Sequence, residues 1–184
     1  MMMKHPLILK ITAGGQPQSW LTVHQAAQHL VAGRVAWSFG DTGIILKGGF
    51  NKVGLQSSLG IPAILASKSD HARIAHSVPF TRQNLFARDR FTCMYCGNKP
   101  SERALTIDHI IPTSRGGRHS WMNTCACCFG CNQRKAALTP EEAGMALLSV
   151  PYVPNRYEYM YLRNRYVLTD QMDYLSKGFR NFVA

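Results

Sequence analysis

The apolar and polar positions change rhythm several times along the chain, and each rhythm predicts an element. Leu7-Ile-Leu-Lys-Ile11 is a short apolar run closed by Gly14-Gly15, which reads as a strand. From Val23 to Val31 the apolar residues recur at helical spacing until Gly33 stops them, so a helix is expected there. Val35-Ala-Trp37-Ser-Phe39 alternates as a strand does and runs into the turn residues Gly40-Asp-Thr-Gly43. Ile61-Pro-Ala-Ile-Leu65 predicts another strand, at a sheet edge because Pro62 has no N–H to give to a ladder. Leu105 to Ile111 is rich in β-branched and apolar residues and stops at Pro112, as a strand entering a loop would. Thr139-Pro140-Glu-Glu142 has the form of a capping box with proline at the first helical position, so a helix is expected to about Leu148. The segment from Tyr152 to Tyr174 interleaves tyrosine with Arg156, Arg163 and Arg165, which fits an amphipathic helix or a surface that stacks on single-stranded bases. Thr169 is the expected cap of the last helix.

Together these elements predict an α+β protein in three parts: a small α+β N-terminal region over 1–79, a cysteine-rich domain over 80–150 and a C-terminal helical extension over 151–184. The polar stretch from Ser67 to Arg82 serves as the first connection. A chain of 184 residues suffices for one ordinary domain together with a small metal-stapled unit.

Composition narrows this picture. With 46% hydrophobic and 17% charged residues the chain is expected to fold rather than remain disordered. No stretch reaches the roughly 18 apolar residues of a membrane span, so no membrane partner is expected. Lys10 interrupts the N-terminal apolar run before a secretory signal develops, which points to the cytoplasm. In that reducing setting six cysteines are metal ligands before they are disulfides. The net charge of +11 is unevenly spread: residues 1–79 carry seven basic and two acidic side chains, 80–135 nine and three, and 136–184 five of each. The excess on the first two segments suits a polyanion partner. Histidines 5, 24, 29, 71 and 76 have no ligand-like neighbours in sequence and read as structural or exposed.

Spacing carries the chemistry. Cys93/Cys96 and Cys128/Cys131 are Cys-x2-Cys pairs, and two such turns aim four sulfurs at one tetrahedral zinc with no open position, a structural site. Cys125/Cys128 has the same spacing and competes for the role. Cys128/Cys131 is favoured because Gly130 permits the turn and Cys131-Asn-Gln-Arg-Lys135 then leads into a helix, which leaves Cys125 and Cys127 as small buried packing. The 31 residues between the pairs exceed the roughly 15–20 of simple zinc ribbons, so something larger is inserted. The insertion holds Leu105-Thr-Ile-Asp108-His109-Ile-Ile-Pro112. In a regular strand Asp108 and His109 would face opposite sides, so shared work on one phosphate requires a bend at the strand end.

Arg88-Asp-Arg-Phe-Thr-Cys93-Met-Tyr-Cys96-Gly97, Leu105-Thr-Ile-Asp108-His109-Ile-Ile-Pro112-x-Ser114-Arg-Gly-Gly117, Trp121-Met-Asn123 and Cys128-x2-Cys131-Asn132-x2-Lys135 occur in this order. With Thr139-Pro-Glu-Glu142-Ala-Gly, they resemble the HNH endonucleases across residues 82 to about 148. The resemblance implies a ββα-metal (His-Me finger) nuclease core, here stapled by a four-cysteine zinc site, and a DNA substrate. It implies that His109 is the general base toward the attacking water, a task suited to a group with reference pKa about 6.5. Asp108 would be a ligand of a catalytic Mg²⁺ or Mn²⁺, and Asn123 would orient the His109 ring. Asn132 stands at the family's last histidine position, where its amide oxygen can still bind a hard cation. Lys135, sharing the helix face of Asn132, is expected near the phosphate, with Arg115, Arg118 and Arg134 as backbone contacts from a loop that Gly116-Gly117 makes mobile. The alternatives are a zinc-stapled nucleic-acid-binding module without cleavage and, more weakly, a protein-interaction domain that uses the N-terminal region.

Overall fold

The structure, a computed structural model, describes residues 5–68, 78–164 and 166–181. His71, His76, Arg165 and most of the Ser67–Arg82 connection lie outside the described residues. In chain order the elements are β1 (Ile8–Thr12), β2 (Pro17–Leu21), α1 (Val23–Val31), β3 (Val35–Phe39), β4 (Ile45–Phe50), β5 (Gln56–Gly60), β6 (Ile64–Ser67), α2 (Arg82–Arg88), β7 (Leu105–His109), β8 (Thr124–Cys128), α3 (Phe129–Lys135), α4 (Arg156–Arg163) and α5 (Thr169–Ser176), with short 3-10 turns between. The fold is α+β. It divides into two compact units, one of residues 1–76 with 156–184 and one of residues 77–155. The C-terminal helices, read from sequence as an extension of their own, thus share a unit with the N-terminal region.

In the first unit a four-stranded sheet has the order β2-β1-β6-β3, with β1 and β6 parallel and the outer pairs antiparallel. Alternate residues of β1 feed two cores. Leu9 and Ile11 pack with Ile64, Ala66, Met160 of α4 and Leu175 of α5, whereas Ile8 packs with Leu65, Ile61 and Ala26 of α1. Both faces are covered, so these strands read as continuous apolar runs rather than alternating ones. Leu9, Ile11 and Ile64 are wholly buried, each contributing about 1.5–3 kcal/mol. The sequence placed the Ile61–Leu65 strand at an edge; β6 is instead central. Pro62 lies two residues before β6, so its missing N–H removes nothing from the ladder. The tail tyrosines Tyr157, Tyr161 and Tyr174 pack against this core, which answers the base-stacking alternative in favour of packing. Thr169 is the first residue of α5 rather than its cap: the Leu168 N–H donates to Gln171 Oε1 at 3.0 Å.

In the second unit β7 and β8 form an antiparallel hairpin in which Leu105 pairs with Cys128 and His109 with Thr124, and α3 follows β8 directly. This is the ββα unit that the family resemblance implied. Arg88 at the end of α2 holds it in place. Buried at 4% exposure, its guanidinium donates to Asp89 Oδ1 at 2.7 Å, to the Trp121 carbonyl at 2.7 Å and to the Thr124 carbonyl at 2.8 Å. Asp89 Oδ2 in turn accepts the Ala126 N–H at 2.7 Å, so the ion pair is bonded on every side that burial would otherwise leave unsatisfied. Arg82 also donates to the Leu105 carbonyl. The helix expected from Thr139 does not form. The capping box is present, with the Thr139 N–H donating to Glu142 Oε2 at 2.9 Å and the Glu142 N–H to Thr139 Oγ1 at 3.3 Å, but Gly144 at φ 62° ends it after one turn.

Candidate active site

Four cysteines converge at the base of the hairpin. The Cys93–Cys96 turn closes through the Gly97 N–H donating to the Cys93 carbonyl at 2.9 Å, and Gly97 takes φ 76°, a conformation glycine adopts without strain. The turn is anchored to β8 by the Met94 N–H on the Ala126 carbonyl at 2.9 Å. The second pair straddles the start of α3: Cys128 is its N-cap and Cys131 lies in its first turn. Gly130 is therefore an ordinary helical residue, and the turn expected to need its freedom is the helix itself. The sulfurs of Cys93, Cys96, Cys128 and Cys131 lie within 4.8 Å of one another, with Cys96 Sγ 3.9 Å from Cys128 Sγ. A tetrahedral zinc with 2.3 Å bonds separates its sulfurs by about 3.8 Å, so the cluster suits a structural zinc. Cys125 and Cys127 are not among these four and are buried in β8, Cys127 packing against Cys93 and Cys131. Burial, together with the Asp108 and Asp89 carboxylates, pushes the Cys125 thiol up to about 12, which keeps it protonated and inert.

Asp108 sits one residue before the end of β7, 3% exposed. Lys135, in the last turn of α3, donates to Asp108 Oδ1 at 3.1 Å and to the His109 carbonyl at 2.7 Å, and Tyr95 donates to Asp108 Oδ2 at 2.6 Å. Lys135 is completely buried. It was expected to face a phosphate; instead its ammonium is consumed in fixing the acid and the strand end. Asn132, one turn earlier on α3, donates its amide N–H to Thr106 Oγ1 at 2.9 Å. Thr106 and Asp108 are two apart on β7 and so share a face, which brings Asn132 and Lys135 of α3 to the same side of the strand.

His109 ends β7. Its Nε2 lies 2.9 Å from Nδ1 of His119, a residue the sequence reading did not single out, and among the described residues nothing hydrogen-bonds its Nδ1. Burial and the neighbouring His119 hold the His109 pKa below the ordinary histidine value; Asp108 opposes this and Lys135 adds to it. Among the described residues no hydrogen bond joins Asn123 to the ring. Its Oδ1 accepts the Ile111 N–H at 2.9 Å, and its Nδ2 donates to the carbonyls of Ile111 and Arg118, both at 3.0 Å. It therefore fastens both ends of the loop that carries His119, and any effect on His109 passes through that loop. A Cβ on Gly117 would come within 1.8 Å of the Ile111 carbonyl oxygen, so only glycine allows this close approach. The paired glycines thus let the loop close tightly, with Gly116 at φ 85°.

Residues 93–148 match the HNH endonuclease family. The chain contains an HNH endonuclease domain. No curated protein matches the chain. The family match supports a nuclease role and a nucleic-acid substrate.

Within the HNH domain the arginines separate into two kinds. Arg115 Nη1 binds Glu142 Oε1 and Oε2 at 2.7 and 2.6 Å, so part of its guanidinium is committed and its charge is offset by that carboxylate. Arg118 and Arg134 are exposed, and their guanidinium groups have no partner among the described residues. Four functional neighbours escaped the sequence reading: Arg88, Asp89, Tyr95 and His119. Arg88-Asp89 and Tyr95 lie inside the motif that carried the family resemblance, yet nothing in the sequence says that an Arg-Asp pair will be buried. His119 had one usable signal, its position just beyond the two glycines that return the loop toward β7. Among the described residues no helix is long and apolar enough to cross a membrane.

Proposed function

We propose that the HNH domain is a metal-dependent DNA endonuclease in which His109 takes a proton from the water that attacks the phosphodiester. The observation that carries this reading is the His109 ring at the end of β7, with Nε2 held by His119 and Nδ1 without a partner among the described residues. An imidazole held below its ordinary pKa stays neutral near working pH, as a general base requires.

Asp108 and Asn132 would hold the hard divalent cation, Mg²⁺ or Mn²⁺. The donor set fits: the Asn132 amide nitrogen is given to Thr106, which leaves its oxygen as the ligand atom, and each Asp108 oxygen keeps a lone pair beyond the bonds from Lys135 and Tyr95. Two protein oxygens match the habit of Mg²⁺, which keeps water and substrate oxygens in its remaining positions. When bound, the cation supplies charge stabilisation at the phosphate and the leaving oxygen. Lys135 and Tyr95 hold the Asp108 carboxylate in its orientation, Asn123 and Gly117 fix the loop, and Arg118 and Arg134 contact the DNA backbone. The four cysteines carry the structural zinc.

Incubation of supercoiled plasmid with the protein and Mg²⁺ or Mn²⁺ tests the reading. Nicking or linearisation abolished by EDTA is the expected result. DNA binding with no cutting in either metal would refute it and select a zinc-stapled binding module.

A further inference from the structure

The His109–His119 contact joins unlike nitrogens, Nε2 of one ring to Nδ1 of the other, 2.9 Å apart. Two neutral imidazoles at that distance share one proton between the facing atoms. If His109 donates, both rings carry their protons on Nε2, the ordinarily preferred tautomer of a neutral imidazole. If His119 donates, both rings must carry them on Nδ1, the minor form. The first arrangement leaves His109 Nδ1 with a bare lone pair; the second removes it.

Resting on the reading of His109 as the base, we propose that His119 is a positioning residue that holds the His109 proton on Nε2 and so presents the Nδ1 lone pair to water. Both partners are anchored independently of their contact. His109 is fixed by its pairing with Thr124 and by Lys135 on its carbonyl at 2.7 Å. His119 follows Arg118, whose carbonyl Asn123 holds at 3.0 Å, and its ring meets Phe80 edge-on at 4.7 Å between centroids. Phe80 in turn meets the buried Trp121 at 5.1 Å, and the Trp121 indole donates to the Val78 carbonyl at 3.3 Å. The His119 ring is thus backed by an aromatic wall and closed by a glycine loop, and the hydrogen bond is imposed on His109 rather than found by a free side chain. Which ring nitrogen of a histidine carries the proton is set by the partner of the other, and here that partner is His119.

The test uses the zinc-loaded full chain with ¹⁵N-labelled histidine at about pH 8, where an unperturbed histidine is neutral. Long-range proton–nitrogen correlation reads the tautomer of His109, whose signals are identified by their loss in His109→Ala. The expected wild-type result is a proton on Nε2. His119→Phe keeps a ring against Phe80 while removing the acceptor. It should let His109 sample both tautomers and lower the single-turnover cleavage rate about 10- to 100-fold, the range for outer partners of functional histidines, with DNA affinity unchanged. A wild-type His109 protonated on Nδ1 would overturn the proposal, as would a His119→Phe chain with unaltered tautomer or unaltered rate. Because the ring-proton signals need no cleavage, a chain that never cuts DNA refutes the nuclease reading while the tautomer still decides the role of His119.

Discussion

Lys135 Nζ lies 3.1 Å from Asp108 Oδ1, and neither side chain is more than 4% exposed. An ion pair so placed stabilises only while both charges remain, because an uncompensated buried charge costs more than the pair contributes. Lys135→Met should therefore destabilise the HNH domain by about 3–5 kcal/mol in urea unfolding. Lys135→Met combined with Asp108→Asn removes both charges and should cost clearly less than the two single changes added together. Additive costs in that double-mutant cycle would show that the pair is not coupled.

Zinc removal should act on the same domain and more severely. A structural zinc contributes about 10–16 kcal/mol in small zinc-folded peptides, against the roughly 5–15 kcal/mol by which whole domains are stable. A strong chelator, or Cys96→Ser, should unfold residues 93–148, while the sheet of β1, β2, β3 and β6, which contains no cysteine, keeps its amide-exchange protection. Metal analysis should return about one zinc per chain. A folded HNH domain without zinc would contradict the assignment.

Asn123→Ala removes three hydrogen bonds to the backbone of Ile111 and Arg118. The expected cost is about 1–3 kcal/mol for the groups left unpaired. Hydrogen exchange should accelerate over residues 111–119 while β7 remains protected. Loss of protection spread evenly through β7 would assign Asn123 to the hairpin rather than to the loop.

Glu142 offers a pH handle. The Arg115 guanidinium and the Thr139 N–H hold its carboxyl below the ordinary carboxylate value. For an acid depressed in the folded state, the stabilising contact is present above the ordinary value of 4.5 and is lost as pH falls through the lower folded value. The Arg115 link should thus survive at neutral pH and open in acid, visible in the Arg115 side-chain signals. At neutral pH Glu142→Gln should free Arg115, tighten DNA binding and steepen its salt dependence by about one counterion. Unchanged binding would place Arg115 away from the DNA.

What could be read from the sequence follows from how local each feature is. The helix over Val23–Val31 and the Cys93-x2-Cys96 turn depend on neighbours within a turn or two, and both were legible. The central position of β6 was not, because it depends on which strands flank it and not on the proline nearby. The surroundings of Lys135 and the place of His119 were not legible for a related reason. Helix spacing correctly put Lys135 on the face of Asn132, but which way that face pointed depended on the strand it packs against, and it points inward to Asp108. His119 sits ten residues beyond His109, and only the closure of the Gly116-Gly117 loop by Asn123 brings the two rings together.

Single-turnover cleavage of a labelled DNA duplex in Mg²⁺ or Mn²⁺ by wild-type protein and by His109→Ala, each first shown to bind the duplex equally, tests the central claim most directly. Loss of a general base should slow the variant by about 100-fold or more with binding intact. A His109→Ala chain that cuts as fast as the wild type would contradict the assignment of the base.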